Sequence, residues 1–183
     1  MNSELLIQRL LEQTRIAINR TEKLNSIELK RLTWKPNETS WSMLECIAHL
    51  NLYGDFYLPQ IEQRIKNSNT KAELEFKPGI LGNYFAKSML PKDKLNKMKT
   101  FKDKNPLNAK LDKTVIDTFI TQQIKLLALL NQSRNVSLNK VKIQTSISSL
   151  IQLKLGDIFQ FLINHNIRHL NQVDSIQRGM TNA

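Results

Sequence analysis

The chain has 183 residues, 40% of them hydrophobic, with five glycines, five prolines and one cysteine, enough for one domain that removes roughly 70% of its extended surface from water without disulfides or a structural metal. The lone Cys46 excludes an intramolecular disulfide and any cysteine-based zinc cluster, and it suits a reducing compartment. A net charge of +11, from 27 basic and 16 acidic residues, invites a nucleic-acid reading, but lysine dominates arginine and no aromatic residues alternate with the cations, so a solvated basic surface is expected instead.

Ser3 to about Asn25 carries Leu6, Leu10, Ala17 and Leu24 at helical spacing, which predicts an amphipathic helix capped by Ser3. Between Ile27 and Ser40, Trp34, Pro36 and Asn37 predict an ordered connection, with Trp34 and Trp41 packing around it. Ser42-Met43-Leu44-Glu45 is a capping box that predicts the start of a second helix. Along that helix Met43, Ile47, Leu50, Tyr57, Ile61 and Ile65 form one stripe, and Cys46, His49, Tyr53 and Phe56 form another. Two such faces predict an interior helix, or one that also meets a partner.

From Asn67 to Leu107 the composition turns to lysine, asparagine, proline and glycine. This predicts a long crossover holding a short helix near Leu81 to Met89 and the densest cations, Lys92, Lys94, Lys97, Lys99, Lys102 and Lys104. A connection of that length is expected to carry function or to bridge distant elements. A third helix is predicted over Asn108 to Gln132, with Ile116, Phe119, Ile120, Leu127 and Leu130 inward. A linker from Asn135 to Ser149 follows, with room for a short extended piece where Val141, Ile143 and Thr145 alternate. The fourth helix, about Leu155 to Gln177, points Leu155, Ile158, Leu162, Leu170, Val173 and Ile176 inward and lacks a good capping residue. Four long helical patterns without a strand series predict one all-α bundle over residues 1–183. No export leader is apparent, and the most apolar stretch, Leu150 to Ile163, is broken by Lys154 and Asp157, so a cytoplasmic protein without a membrane partner is expected.

The chain has three histidines. His165 and His169 stand four apart on the predicted fourth helix, so their rings project from one face. That face also carries Ile158, Leu162 and Val173, which turns the pair inward. Burying imidazoles without partners costs on the order of 1–3 kcal/mol, and a divalent ion would satisfy one nitrogen of each. His49 could supply a third nitrogen if the second and fourth helices are neighbours. The competing reading is that all three are ordinary hydrogen-bonded interior residues. Three neutral imidazoles leave a cation with its full charge and an open position, the pattern of a catalytic site, where water or a thiolate would be activated. Zinc and nickel both suit these donors. Glu45, one turn before His49, is a candidate to orient that ring or act as a base, although the capping box explains it more simply. Gln172, Asp157 and Tyr53 are candidates for the surroundings of the ion, and Cys46 reads as a buried inert thiol.

The block from Trp34-Lys35-Pro36 through Trp41-Ser42 and Glu45 to His49-Leu50, followed far downstream by His165-Asn166-Ile167-Arg168-His169, resembles the DinB/YfiT-like superfamily of metal-binding four-helix bundles over nearly the whole chain. The resemblance implies an up-down-down-up bundle with the long crossover between its second and third helices, a metal triad at His49, His165 and His169, and a homodimer. The activity it best implies is transfer of a low-molecular-weight thiol, such as bacillithiol, onto a small-molecule electrophile. A metal-dependent hydrolase and a non-catalytic stress or interaction protein are the alternatives. The stretch Ile143-Gln144-Thr145-Ser146-Ile147 departs from the His-Pro often found there in relatives.

Overall fold

Helix α1 (Ser3–Glu22) is capped by Asn2, not by Ser3: the Asn2 side chain accepts the Leu5 N–H at 3.0 Å. An extended pairing of Asn2 with Glu75, together with the Ser3 N–H donating to Leu74 O, fixes the chain as it enters the helix. In this computed structural model, which describes residues 1–90 and 100–180, a 3₁₀ turn over Lys23–Ser26 and a single-turn α2 (Leu29–Leu32) then lead toward the second long helix.

Helix α3 (Met43–Lys66) begins where the capping box predicts. Ser42 Oγ accepts the Glu45 N–H at 3.2 Å, and Glu45 Oε2 accepts the Ser42 N–H at 2.7 Å. The Met43 to Ile65 stripe is buried; on the second stripe Cys46, His49 and Tyr53 are buried and Phe56 is half-buried. Within the chain, α3 packs against both α5 and α6.

The crossover holds α4 (Ile80–Ser88), which packs on α6. Lys92, Lys94, Lys97 and Lys99 lie outside the described residues. Helix α5 (Thr114–Gln132) starts six residues later than its periodicity suggests. Asn108 has a positive φ of 64°, a left-handed conformation that no α-helix continues. The Asp112 side chain instead accepts from the Thr114 N–H, where the helix begins.

The extended piece allowed near Ile143 is a strand. β1 (Lys142–Gln144) pairs antiparallel with β2 (Gln152–Lys154), Ile143 opposite Leu153, a small sheet in a mostly helical chain. β2 runs directly into α6 (Leu155–Met180). Its missing side-chain cap is explained here: the Leu155 and Gly156 N–H groups donate to Val141 O and Leu138 O, so the main chain just before β1 satisfies the first two amides of the helix.

Helices α1 and α3 each pack against both α5 and α6. Arg9 reaches Gln160 while Arg20 reaches Asn171 and Asp174, so α1 and α6 run in the same direction. Gln122 bonds Asp55 and Lys125 bonds Glu62, so α3 and α5 also run parallel. Tyr57 meets Phe161 while His49 meets His165 and His169, which sets α3 antiparallel to α6. The apolar core forms two clusters, one around Tyr57, Phe159 and Leu162 and the other around Leu44, Ile47, Phe119 and Leu170. The histidines stand at the seam between them. Among the described residues no helix is long and apolar enough to cross a membrane.

Candidate metal centre

His49 comes from the second stripe of α3, and His165 and His169 from successive turns of α6. The antiparallel crossing of these helices brings together all three rings that the spacing singled out. Nε2 of His165 lies 3.2 Å from Nε2 of His49 and 3.0 Å from Nε2 of His169. One nitrogen from each ring falls within a span of 4.8 Å. All three are buried, His169 the most exposed at 9%.

The outer nitrogens decide the proton count. His49 Nδ1 is 2.6 Å from Lys104 O, and because a carbonyl oxygen only accepts, Nδ1 carries the proton and Nε2 a lone pair. His169 Nδ1 likewise donates to Gln172 Oε1 at 2.9 Å, leaving its Nε2 a lone pair. His165 Nδ1 is buried and has no hydrogen-bond partner among the described residues. If His165 Nε2 carries a proton, it serves one neighbour and strands the other; if Nδ1 carries it, three lone pairs face one another. In both cases the cluster is short of protons, and a cation at the common point resolves it. The three buried histidines could hold a metal ion.

Burial lowers His49 to about 4, against the opposing Lys104 carbonyl bond. It lowers His169 to about 3, with the His49 charge adding to the effect. His165 falls well below its ordinary value through burial and then the charges of His169, His49 and Arg168. All three rings are therefore neutral at neutral pH, the state in which imidazole binds metal.

Aromatic rings wall the cluster. Trp41 lies 4.7 Å from the His49 ring and 5.6 Å from the His169 ring, centroid to centroid. This tryptophan packs against the apolar cluster around Phe119, as expected, and in addition covers the histidines. Trp34 packs against the same cluster. Tyr53 is 4.5 Å from the His165 ring and 5.0 Å from that of His49, and burial pushes its hydroxyl up to about 12.

Of the other residues singled out in the sequence, Gln172 touches His169 directly. Asp157 stands elsewhere, with its Oδ2 accepting the Gly79 N–H at the start of α4. Glu45 is buried with its oxygens engaged: Oε2 holds Ser42, and Oε1 accepts from Lys35 Nζ at 2.6 Å and from the Asn108 N–H at 2.5 Å. Burial alone would raise its pKa, yet Lys35 and these N–H donors hold the carboxyl below its ordinary range. Cys46 is fully buried and its thiol is pushed up by burial and by Glu45, which leaves it inert. Lys104 and Asn105 escaped sequence reasoning, because one acts through its carbonyl and the other is a polar residue in a lysine-rich stretch.

No curated protein and no solved structure matches the chain. A family model described as the DinB superfamily matches residues 11–173. That span takes in all three histidines, and the chain belongs to the DinB superfamily.

Proposed function

We propose that the protein is a metal-dependent thiol S-transferase, in which His49, His165 and His169 hold one divalent cation, zinc or nickel, and a small thiol of the bacillithiol type is joined to an electrophile. The observation that carries this reading is the convergence of three Nε2 atoms with too few protons between them. When bound, a cation on three neutral imidazoles keeps its full charge and an open position, and supplies Lewis-acid activation of a thiol.

The chain's own residues do the rest. Burial keeps the rings neutral, the Lys104 carbonyl and the Gln172 amide orient two of them, and Trp41 and Tyr53 exclude water. The reading extends to a cytoplasmic up-down-down-up four-helix bundle that works as a homodimer without nucleic acid or membrane. The parallel pairs α1–α6 and α3–α5 support that topology. Ile80 and Tyr84, 95% and 66% exposed on α4, offer apolar surface for a second copy.

The test is conjugation of a thiol to a chromogenic electrophile by zinc- or nickel-loaded protein purified without a histidine tag. The wild type should accelerate it and His169→Ala should not; equal rates remove the transferase reading.

A further inference from the structure

The chain returns over the triad between α4 and α5 as a strap, residues 100–108, and three side chains of the α3 end of the bundle fasten it. Trp41 Nε1 donates to Asn105 Oδ1 at 3.1 Å. The Asn108 N–H donates to Glu45 Oε1 at 2.5 Å, and Lys35 Nζ reaches both Glu45 Oε1 at 2.6 Å and Asn108 Oδ1 at 2.9 Å. The left-handed turn at Asn108 aims its N–H inward at the carboxylate. Immediately before these fastenings, the Lys104 carbonyl meets Nδ1 of His49.

Capping α3 needs only one oxygen of Glu45, and Oε2 serves that purpose. Oε1 is equally removed from water, on a side chain 2% exposed, and its two partners are Lys35 and the strap. A buried carboxylate oxygen costs free energy unless it is bonded, so the strap and Glu45 stabilise each other in this position.

We propose that Glu45 is a positioning residue for the metal centre: by clasping Asn108 it holds the Lys104 carbonyl on Nδ1 of His49 and commits that ring to the tautomer whose Nε2 lone pair faces His165 and His169. With the carbonyl withdrawn, the proton is free to move to Nε2, and a ring protonated there cannot ligate through that atom. The metal half of this inference rests on the three-histidine reading above; the tautomer half stands without it. The clasp also explains why a capping glutamate sits one turn from a ligand. The same carboxylate orders the start of the helix and the far side of the ring that the helix presents.

Long-range ¹H–¹⁵N correlation of the histidine rings in metal-free, full-length protein at neutral pH reads the tautomer directly, and competition with a chromogenic chelator reads zinc affinity. Wild type should show His49 protonated at Nδ1. Glu45→Gln should shift His49 toward the Nε2–H form and weaken zinc binding about tenfold or more, the range for loss of an outer partner of a ligand. Lys35→Met removes one strap fastening and leaves the capping box intact, and it should move the tautomer in the same direction. Ser42→Ala weakens the cap alone and should lower the melting temperature without changing the His49 pattern. Folded Glu45→Gln and Lys35→Met proteins with the wild-type tautomer and zinc affinity would overturn the assignment. If Glu45→Gln does not fold, an unchanged tautomer in Lys35→Met overturns it alone. Absence of zinc binding by the wild type removes the metal reading, and the tautomer result still decides the role of Glu45.

Discussion

Nε2 of His49 on α3 and Nε2 of His165 on α6 approach to 3.2 Å, and the tautomer set by Lys104 makes the first of them a lone pair. A ligand that binds only the folded state stabilises it by RT ln(1 + [L]/Kd), about 2.7 kcal/mol at a hundredfold excess over Kd. Zinc or nickel should therefore raise the melting temperature of chelator-treated protein by several degrees, with one ion per chain by mass spectrometry. The His165→Ala/His169→Ala protein should show neither effect. A wild type that takes up no metal would return the three histidines to a purely structural role.

The metal-free protein should lose stability on mild acidification. Burial holds His49 at about 4 and His169 at about 3, with His165 also depressed, all below the unfolded value near 6.5. A depressed histidine favours the neutral ring in the fold, so its contribution is complete above about pH 6.5 and is lost as pH falls toward the folded values. Urea midpoints should drop between pH 6.5 and 4, and His169→Gln should flatten that drop. Identical curves for the two proteins would contradict it.

The capping box of α3 has a separate signature in stability. Ser42→Ala removes the acceptor for the Glu45 N–H and should cost about 1 kcal/mol. Thermal melts of the metal-free protein are the measurement, and an unchanged midpoint would mean that the first turn of α3 does not depend on the hydroxyl.

Two helical glycines should differ in their response to a methyl group. A Cβ at Gly156 would sit 2.6 Å from Cε2 of Phe76, a ring with no exposure, so Gly156→Ala should cost about 1–3 kcal/mol through overpacking. A Cβ at Gly54 would meet the amide end of Gln122, but that side chain is half-buried and can swing away. Gly54→Ala also gains about 1 kcal/mol of helix propensity, so its net change should be small. Chemical denaturation of both variants separates the cases, and equal losses would refute the distinction.

What could be read from the residues depended on whether the signal lay in side chains. The start of α3, the inner faces of α1, α3 and α6 and the i, i+4 histidine pair are side-chain patterns, and each is found where the sequence places it, whereas on α5 Leu126 and Leu129 are buried and the expected Ile120 and Leu127 are only half-buried. The start of α6 was obscure because carbonyls of Val141 and Leu138 supply its cap. The start of α5 was set too early because apolar periodicity does not register the left-handed turn at Asn108. Asn2 takes the cap because the helix already includes Ser3, one residue earlier than the sequence suggests. Around the candidate metal centre, Gln172 was legible at three residues from His169, whereas Lys104 contributes a main-chain oxygen that leaves no mark on residue choice. Trp41 packs as the sequence suggests, but a tryptophan in a loop before a helix has no spacing that points to the histidine rings it also covers.

His49 and His165 are 116 residues apart in the chain. In the unfolded polypeptide, His165 and His169 alone can meet one ion, since closing a loop of that length to recruit His49 costs entropy that the docked helices have already lost. An ion at this centre would therefore act as a reporter of topology: weakly held by the isolated C-terminal helix, and tightly held once α3 lies antiparallel against it. Chain register and metal retention would be one equilibrium, with misdocked forms releasing the ion and correctly wound ones keeping it.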